Sequence, residues 1–297
     1  MHLGERVAVV TGGASGIGRS LCLAFAEQGA AAVVVADIDA AGAAEVAGTI
    51  QARGHRALAV TADVANPGAA QALVAQVQDE FGRIDLFCSN AGIIVDGGVE
   101  IPDEVWSRVW AVNVQSHVYL TRALLPGMLA RGEGYLVYTA SAAGLLTQLG
   151  SASYAMSKHA VVALAEWISI TYADGGIRVS CLCPQAVRTN LGQTSLREAF
   201  QDLPTPGTAL PGTPTPGTPP LGGGRTIGQA ASLDGILTPD DVAASVIEAL
   251  ADERFLILPH PEVATYERRR ADDRERWLQG MRRLQARLRA AGTQVPR

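Results

Sequence analysis

At 297 residues and 48% hydrophobic content, the chain can bury a full core in one large α/β domain or two small ones, which excludes a disordered or fibrous protein. A net charge of −5 argues against a general nucleic-acid surface, and no nucleic-acid partner is expected. The four cysteines, Cys22, Cys88, Cys181 and Cys183, lie in apolar or strand-like runs without metal-ligand spacing, so they read as reduced core thiols and no metal site is expected.

The opening "MHLGERVAVVTGG" enters a strand without an apolar leader. No stretch reaches the roughly 18 uninterrupted apolar residues of a membrane span, so a soluble cytoplasmic protein is expected. Apolar β-rich runs at 6–12, 31–37, 56–64, 84–92, 134–141 and 177–184 then alternate with helix-like stretches. Strands apolar on both faces and separated by helices imply a Rossmann-like, doubly wound parallel sheet in a three-layer α/β/α arrangement. The expected domain covers 1–261, with a helical extension at 262–297. Ligands of such sheets bind beyond the carboxyl ends of the strands, so functional residues are sought there.

The first of those ends is "VVTGGASGIG" (9–18). Gly12, Gly16 and Gly18, with Ser15 and Ile17 between them, form a turn from strand into helix. Glycines let the backbone approach a pyrophosphate and let the helix pack on its strand, while the helix N-terminus offers free N–H groups to the anion. The alternative is a purely structural tight turn. Asp37 ends the second strand, 19 residues after Gly18. Its carboxylate suits the two hydroxyls of an adenosine ribose and repels a 2′-phosphate, and neither Gly13, Ala14 and Ser15 nor Ile38 supplies an arginine for such a phosphate. NAD is the expected cofactor; alternatively, Asp37 only caps its loop.

Further along come "DV" (63–64), "NAG" (90–92), Asn113 in "VWAVNV", Ser141 in "TASAAG", "YAMSK" (154–158) and "PQAVRT" (184–189). With "TGGASGIG" and Asp37, these pieces resemble the classical short-chain dehydrogenase/reductase family over roughly residues 4–250. The resemblance implies a catalytic set of Asn113, Ser141, Tyr154 and Lys158. Ser141 would hold the substrate oxygen, and Asn113 a water in a proton relay from Lys158. It further implies that Asp63 and Val64 contact the adenine and that Asn90, Ala91 and Gly92 line the cofactor cleft. Ile17, Pro184, Val187 and Thr189 would flank the nicotinamide. Where the family usually has glycine after the proline, this chain has Gln185, which narrows the pocket or meets a polar substrate group.

Lys158 is the only lysine among 24 Lys plus Arg. One helical turn after Tyr154, it projects from the same face. An ammonium about 5 Å from a phenol, at an effective dielectric near 20, is worth roughly 3 kcal/mol, or about two pKa units. With the second positive charge that oxidised nicotinamide adds, Tyr154 is expected to be poised near about 7 to 8, where general acid–base catalysis works best. By the resemblance, Lys158 also bonds the nicotinamide ribose, a task for three rotatable donors rather than an arginine fork.

Substrate-side candidates are Ser141, Leu145, Gln148, Tyr154 and Gln185. The wall "AAGLLTQLGSAS", in which Leu145, Leu146 and Leu149 offer an apolar surface with Gln148 as a polar exception, points to a hydrophobic or aromatic secondary alcohol or its ketone. The loop at 190–237 corresponds to the family's substrate lid and contains a Pro/Gly/Thr tract at 203–224, read as a flexible insertion. "ERFLILPHPE" (253–262) reads as a last parallel strand, although it also resembles a stretch in members that oxidise bulky aryl alcohols. His260 reads as structural. Between 266 and 291 nine Arg face four Asp/Glu, and Trp277, Met281, Leu284 and Leu288 form a helical stripe, read as packing on the body or on a partner subunit. Self-association as a dimer or tetramer through helices near 105–130 and 152–172 follows from the resemblance. The competing reading is an inactive dinucleotide-binding sensor or scaffold of the same fold.

Overall fold

The computed structural model describes residues 1–189, 191 and 234–292. The 203–224 tract, and all but the ends of the 190–237 loop, lie outside these residues. Seven parallel strands form one sheet: β1 (Val7–Thr11), β2 (Ala32–Asp37), β3 (Ala57–Thr61), β4 (Leu86–Ser89), β5 (Gly134–Thr139), β6 (Ile177–Leu182) and β7 (Leu256–Ile257). Their spatial order is β3-β2-β1-β4-β5-β6-β7, so the winding reverses between β1 and β4. Such a reversal opens a crevice above the strand ends.

The strand sequences alternate between two cores. Val7 and Val9 of β1 point into one, with Leu124 and Met128 of α5 (Ser116–Arg131) and Val161 and Ile168 of α7 (Ala152–Tyr172). Ala8 and Val10 point into the other, with Leu21 and Phe25 of α1 (Gly16–Glu27), Ile50 of α2 (Ala40–Ala52) and Val246 of α8 (Pro239–Asp252). Period-two alternation with apolar residues at both phases is what a sheet covered on both faces requires.

Local sequence sets the helix ends. α3 (Pro67–Phe81) starts at Asn66, whose side chain accepts from the N–H groups of Gly68 and Ala69, and ends at Gly82 in the left-handed region. α8 starts in a reciprocal capping box of Thr238 and Asp241, followed by Pro239. Each such cap contributes about 1 kcal/mol. α4 (Asp103–Trp110) continues into α5 through a π-helical turn at Ala111–Gln115 that carries Asn113. At the opposite, amino end of the sheet, buried Asp85 accepts from the Val7 N–H and from Arg6 and Arg83, tying β1 to β4 away from the crevice.

β7 pairs in parallel with β6, as the "FLIL" stretch predicts. After it come α9 (Glu262–Asp272) and α10 (Arg274–Gly292), and Arg270 of α9 donates to the Leu145 carbonyl at the end of the short helix α6 (Ala142–Leu145). No helix among the described residues is long and apolar enough to cross a membrane.

Candidate active site

A cavity of about 1030 Å³ opens above the carboxyl ends of the strands. Its dinucleotide side is built from the turn after β1. Gly12 and Gly16 have φ of +66° and +50°, where a side chain is strained, and both line the cavity with Ser15 and Ile17. Gly18 does not line it. A Cβ there would come 2.0 Å from the Gly12 carbonyl oxygen, so its role is close packing of α1 on the turn. Ser15 makes no side-chain cap to α1, which leaves the first N–H groups of that helix open to an anion.

Asp37 and Ile38 line the next stretch of wall. The Asp37 carboxylate accepts from the Ala14 N–H at 2.9 Å and the Asp39 N–H at 3.0 Å, so it braces the glycine turn as well as facing the cavity. Asp63 and Val64 follow, with Asp63 paired at 3.2 Å to Arg108, a cavity-lining arginine that no motif marked. Asn90, Ala91 and Gly92 also line the cavity. The Asn90 side chain donates to the Thr11 carbonyl and accepts from Thr139, knitting β1, β4 and β5 together, so it is the backbone of this segment that faces a ligand. The residues thus fit a dinucleotide: a strained glycine cradle, an open helix N-terminus and an acidic residue at the end of β2.

The reacting side is assembled by α7. Its 152–158 segment places Tyr154 and Lys158 one turn apart, 7% and 3% exposed, both on the cavity. Lys158 Nζ lies 5.6 Å from the Tyr154 ring centre and donates to the Thr139 carbonyl at 2.8 Å. Ser141 caps α6 by accepting from the Ala143 N–H, and its hydroxyl points to the Pro184 carbonyl at 3.4 Å. Pro184, Gln185, Val187 and Thr189 complete this wall. Backbone bonds between Arg188 and Leu237 and between Leu237 and Ala186 hold the two ends of the 190–237 loop together.

Electrostatics here differ from the simple Lys–Tyr pairing. Burial pushes the Tyr154 phenol up from its ordinary value, opposed by a hydrogen bond from Ser141. Burial also brings Lys158 down to about 8, with Cys181 and Cys183 acting the other way. Desolvation thus raises the phenol in the chain without a bound dinucleotide, and the second positive charge expected to bring it toward neutrality, that of oxidised nicotinamide, comes only with the cofactor. Beneath Lys158, His117 is fully buried and held neutral down to about 3, by burial first and by the lysine charge second.

Asn113 and Leu145 do not line the cavity, whereas Gln185 does. The Asn113 side chain is wholly buried, accepting from the Ile93 N–H and donating to the Ile93 carbonyl and to Ser157, so its amide holds the Ile93 loop against α7. Leu145 is a correction: its side chain belongs to the core, and Leu146 and Leu149 supply the apolar wall together with Gln148. The short helix turns Leu145 inward, apart from the Leu146 and Leu149 it was expected to join. Gln185 lines the cavity, its N–H donating to His260 Nδ1 at 3.3 Å, while its Oε1 is buried without a partner. Motif reading missed Asp96, Tyr266, Trp277, Met281 and Leu284, all on the cavity wall. For the last three the signal was present, as the three-and-four stripe of the tail.

A glycine-cradled dinucleotide cleft joined to a buried Tyr–Lys pair and a serine, above a doubly wound sheet, defines an oxidoreductase acting on CH–OH or ketone groups. Residues 6–199 match the family described as short chain dehydrogenase. A 1-deoxy-11-beta-hydroxypentalenate dehydrogenase of Streptomyces exfoliatus is 36% identical over 277 residues, covering 92% of this chain and 90% of that one. The 3beta-hydroxysteroid dehydrogenase 2 of Eggerthella lenta is 37% identical over 193 residues, covering 64% and 74%. A crystal structure of a short chain dehydrogenase/reductase from Burkholderia phymatum in complex with NAD has a TM-score of 0.80 to this chain at 32% identity, covering 93% and 96%. The chain belongs to the short-chain dehydrogenase family.

Proposed function

We propose that the protein is an NAD-dependent dehydrogenase/reductase that interconverts a hydrophobic or aromatic secondary alcohol and its ketone, with Tyr154 as general acid–base. The observation that carries this is the placement of Tyr154 and Lys158, both buried and one turn apart, in the same cavity as Asp37 and the glycine turn. NAD is favoured over its 2′-phosphate because Asp37 occupies the end of β2 and no arginine flanks it there. NAD bound in this cleft by Gly12, Ser15, Gly16, Ile17 and Asp37 would supply the hydride acceptor at the nicotinamide and, when oxidised, a positive charge beside Tyr154.

Ser141 holds the substrate oxygen, its hydroxyl oriented by the Ala143 N–H. In oxidation Tyr154 takes the hydroxyl proton as the C–H bond gives up hydride; in reduction it returns the proton to the carbonyl oxygen. Lys158 keeps positive charge next to the phenol, and its donation to Thr139 fixes its direction. Chemistry of this type needs Ser141, Tyr154 and Lys158 together, and their joint presence favours an enzyme over a sensor that has lost activity.

The test is a panel of aliphatic, aryl and fused-ring secondary alcohols and their ketones, followed by NADH absorbance. Saturable turnover of apolar members with NAD, and a preference of about tenfold or more over the phosphorylated cofactor, is expected. Preference for the phosphorylated cofactor, or binding of NAD with no turnover of any member, counts for the alternatives.

A further inference from the structure

We infer that the C-terminal extension is part of the catalytic cavity: the apolar stripe of α10 forms its substrate-side wall, favours bulky ring systems over small alcohols, and is set in place by Arg270. This deepens the alcohol–ketone reading above and rests on it.

Trp277, Met281 and Leu284 recur at spacings of four and three, so they share one face of α10. All three line the cavity that contains Tyr154, whereas Arg276, Arg282 and Arg283 on the other faces are exposed. Leu146 and Leu149 of the segment after α6 line the same cavity. These five apolar side chains share the lining with Gln148, Tyr266, Arg269 and Arg287, and the whole cavity, its dinucleotide side included, is about 1030 Å³, at the upper end of the roughly 300–1,000 Å³ usual for one small ligand. A tail that served only as a charged surface would not place its large apolar side chains on the wall of the cavity that holds Tyr154.

Arg270 of α9 explains why the wall stands where it does. Its Nη1 donates to the Leu145 carbonyl at 2.7 Å, its Nη2 lies 3.4 Å from His159 Nε2, and its guanidinium carbon sits 5.7 Å from the Trp277 ring centre. One flat guanidinium therefore joins α6, the turn of α7 next to Lys158, and the first apolar residue of the wall. Lysine cannot reproduce that fork and stack. A second tie runs from the Tyr266 hydroxyl to Asp234 at 2.8 Å. Arg270 is a positioning residue; Trp277, Met281 and Leu284 determine specificity.

Gly280 supplies a sharp test, because it lines the cavity and a Cβ there would meet only Arg283 at 3.9 Å. Leucine in its place favours the helix and fills the enclosure. The full-length protein is assayed with NAD on a hydroxysteroid and on 2-butanol, and the ratio of the two kcat/KM values is compared among the parent, Gly280→Leu, Arg270→Lys, and Met281→Ala with Leu284→Ala. The ratio is expected to fall about tenfold in each variant, through KM for the hydroxysteroid rather than kcat. An active parent whose ratio is unchanged in all three overturns the wall while leaving the alcohol reading standing; activity on 2-butanol alone also overturns it. Binding provides a readout without turnover: the hydroxysteroid should change tryptophan emission saturably in the parent and not in Trp277→Phe. An unchanged response in that variant, or no response in the parent, overturns the inference. A parent inactive on the whole alcohol panel overturns the catalytic reading separately.

Discussion

Lys158 carries a cost that its function requires. The ammonium is buried against Tyr154 and Thr139, and desolvation lowers it from 10.5 to about 8. Between about pH 8 and about 10.5 the unfolded chain holds a proton on this lysine that the folded chain has released, so stability from this group rises with pH across that window, and the penalty is fully present below it. The difference amounts to about 3 kcal/mol at most. Comparing denaturant unfolding of the parent and Lys158→Met from pH 7 to 10 should show the variant relatively more stable at pH 7, with the gap closing as pH rises; a gap independent of pH would mean that the lysine is not desolvated. Tyr154, Lys158, Ser141 and Asp37 were legible in the sequence because the duty proposed for each is one that few side chains can perform, at a strand end or one turn along a helix. The inward turn of Leu145 was not, since a four-residue helix gives too little periodicity to separate it from Leu146 and Leu149, which were expected on the same wall and do line the cavity.

At the scale of elements, the turn between β1 and α1 sets the dinucleotide side. Gly18 packs so closely on Gly12 that a methyl group would collide with the backbone rather than with a movable side chain. Gly18→Ala should weaken NAD binding by about tenfold or more, about 1.4 kcal/mol, measured by calorimetry, while leaving the far-ultraviolet dichroism of the sheet and helices intact. Retained affinity would show that α1 can shift without loss of the cradle. The strands were legible for the same reason that the turn was: alternating apolar residues with no polar face admit one solution, a sheet covered on both sides. The π-helical turn at Ala111–Gln115 was hidden, because the extra residue is inserted without any change in helical composition. The α10 stripe was visible as a pattern, but periodicity identifies an apolar face without naming what covers it.

At the scale of the whole molecule, the helical layer containing α5 and α7 leaves large apolar side chains in solvent. Ile170 and Trp167 of α7 are 81% and 56% exposed, and Leu129 of α5 is 37% exposed. We propose that copies of the chain associate through these helices. Replacing Ile170 and Trp167 together by Asp should convert a dimer or tetramer into a species of 31.0 kDa in sedimentation equilibrium. A parent that already sediments as a monomer would rule this out. Among the described residues a single chain lines the cavity from the strand ends to α10. The account then turns on Tyr154. The most direct measurement is NADH formation by Tyr154→Phe on the best alcohol of the parent, alongside calorimetric NAD binding: turnover should fall by more than about 100-fold with NAD affinity held within about threefold. Turnover above about a tenth of the parent would contradict the assignment of Tyr154 as the proton-transferring group.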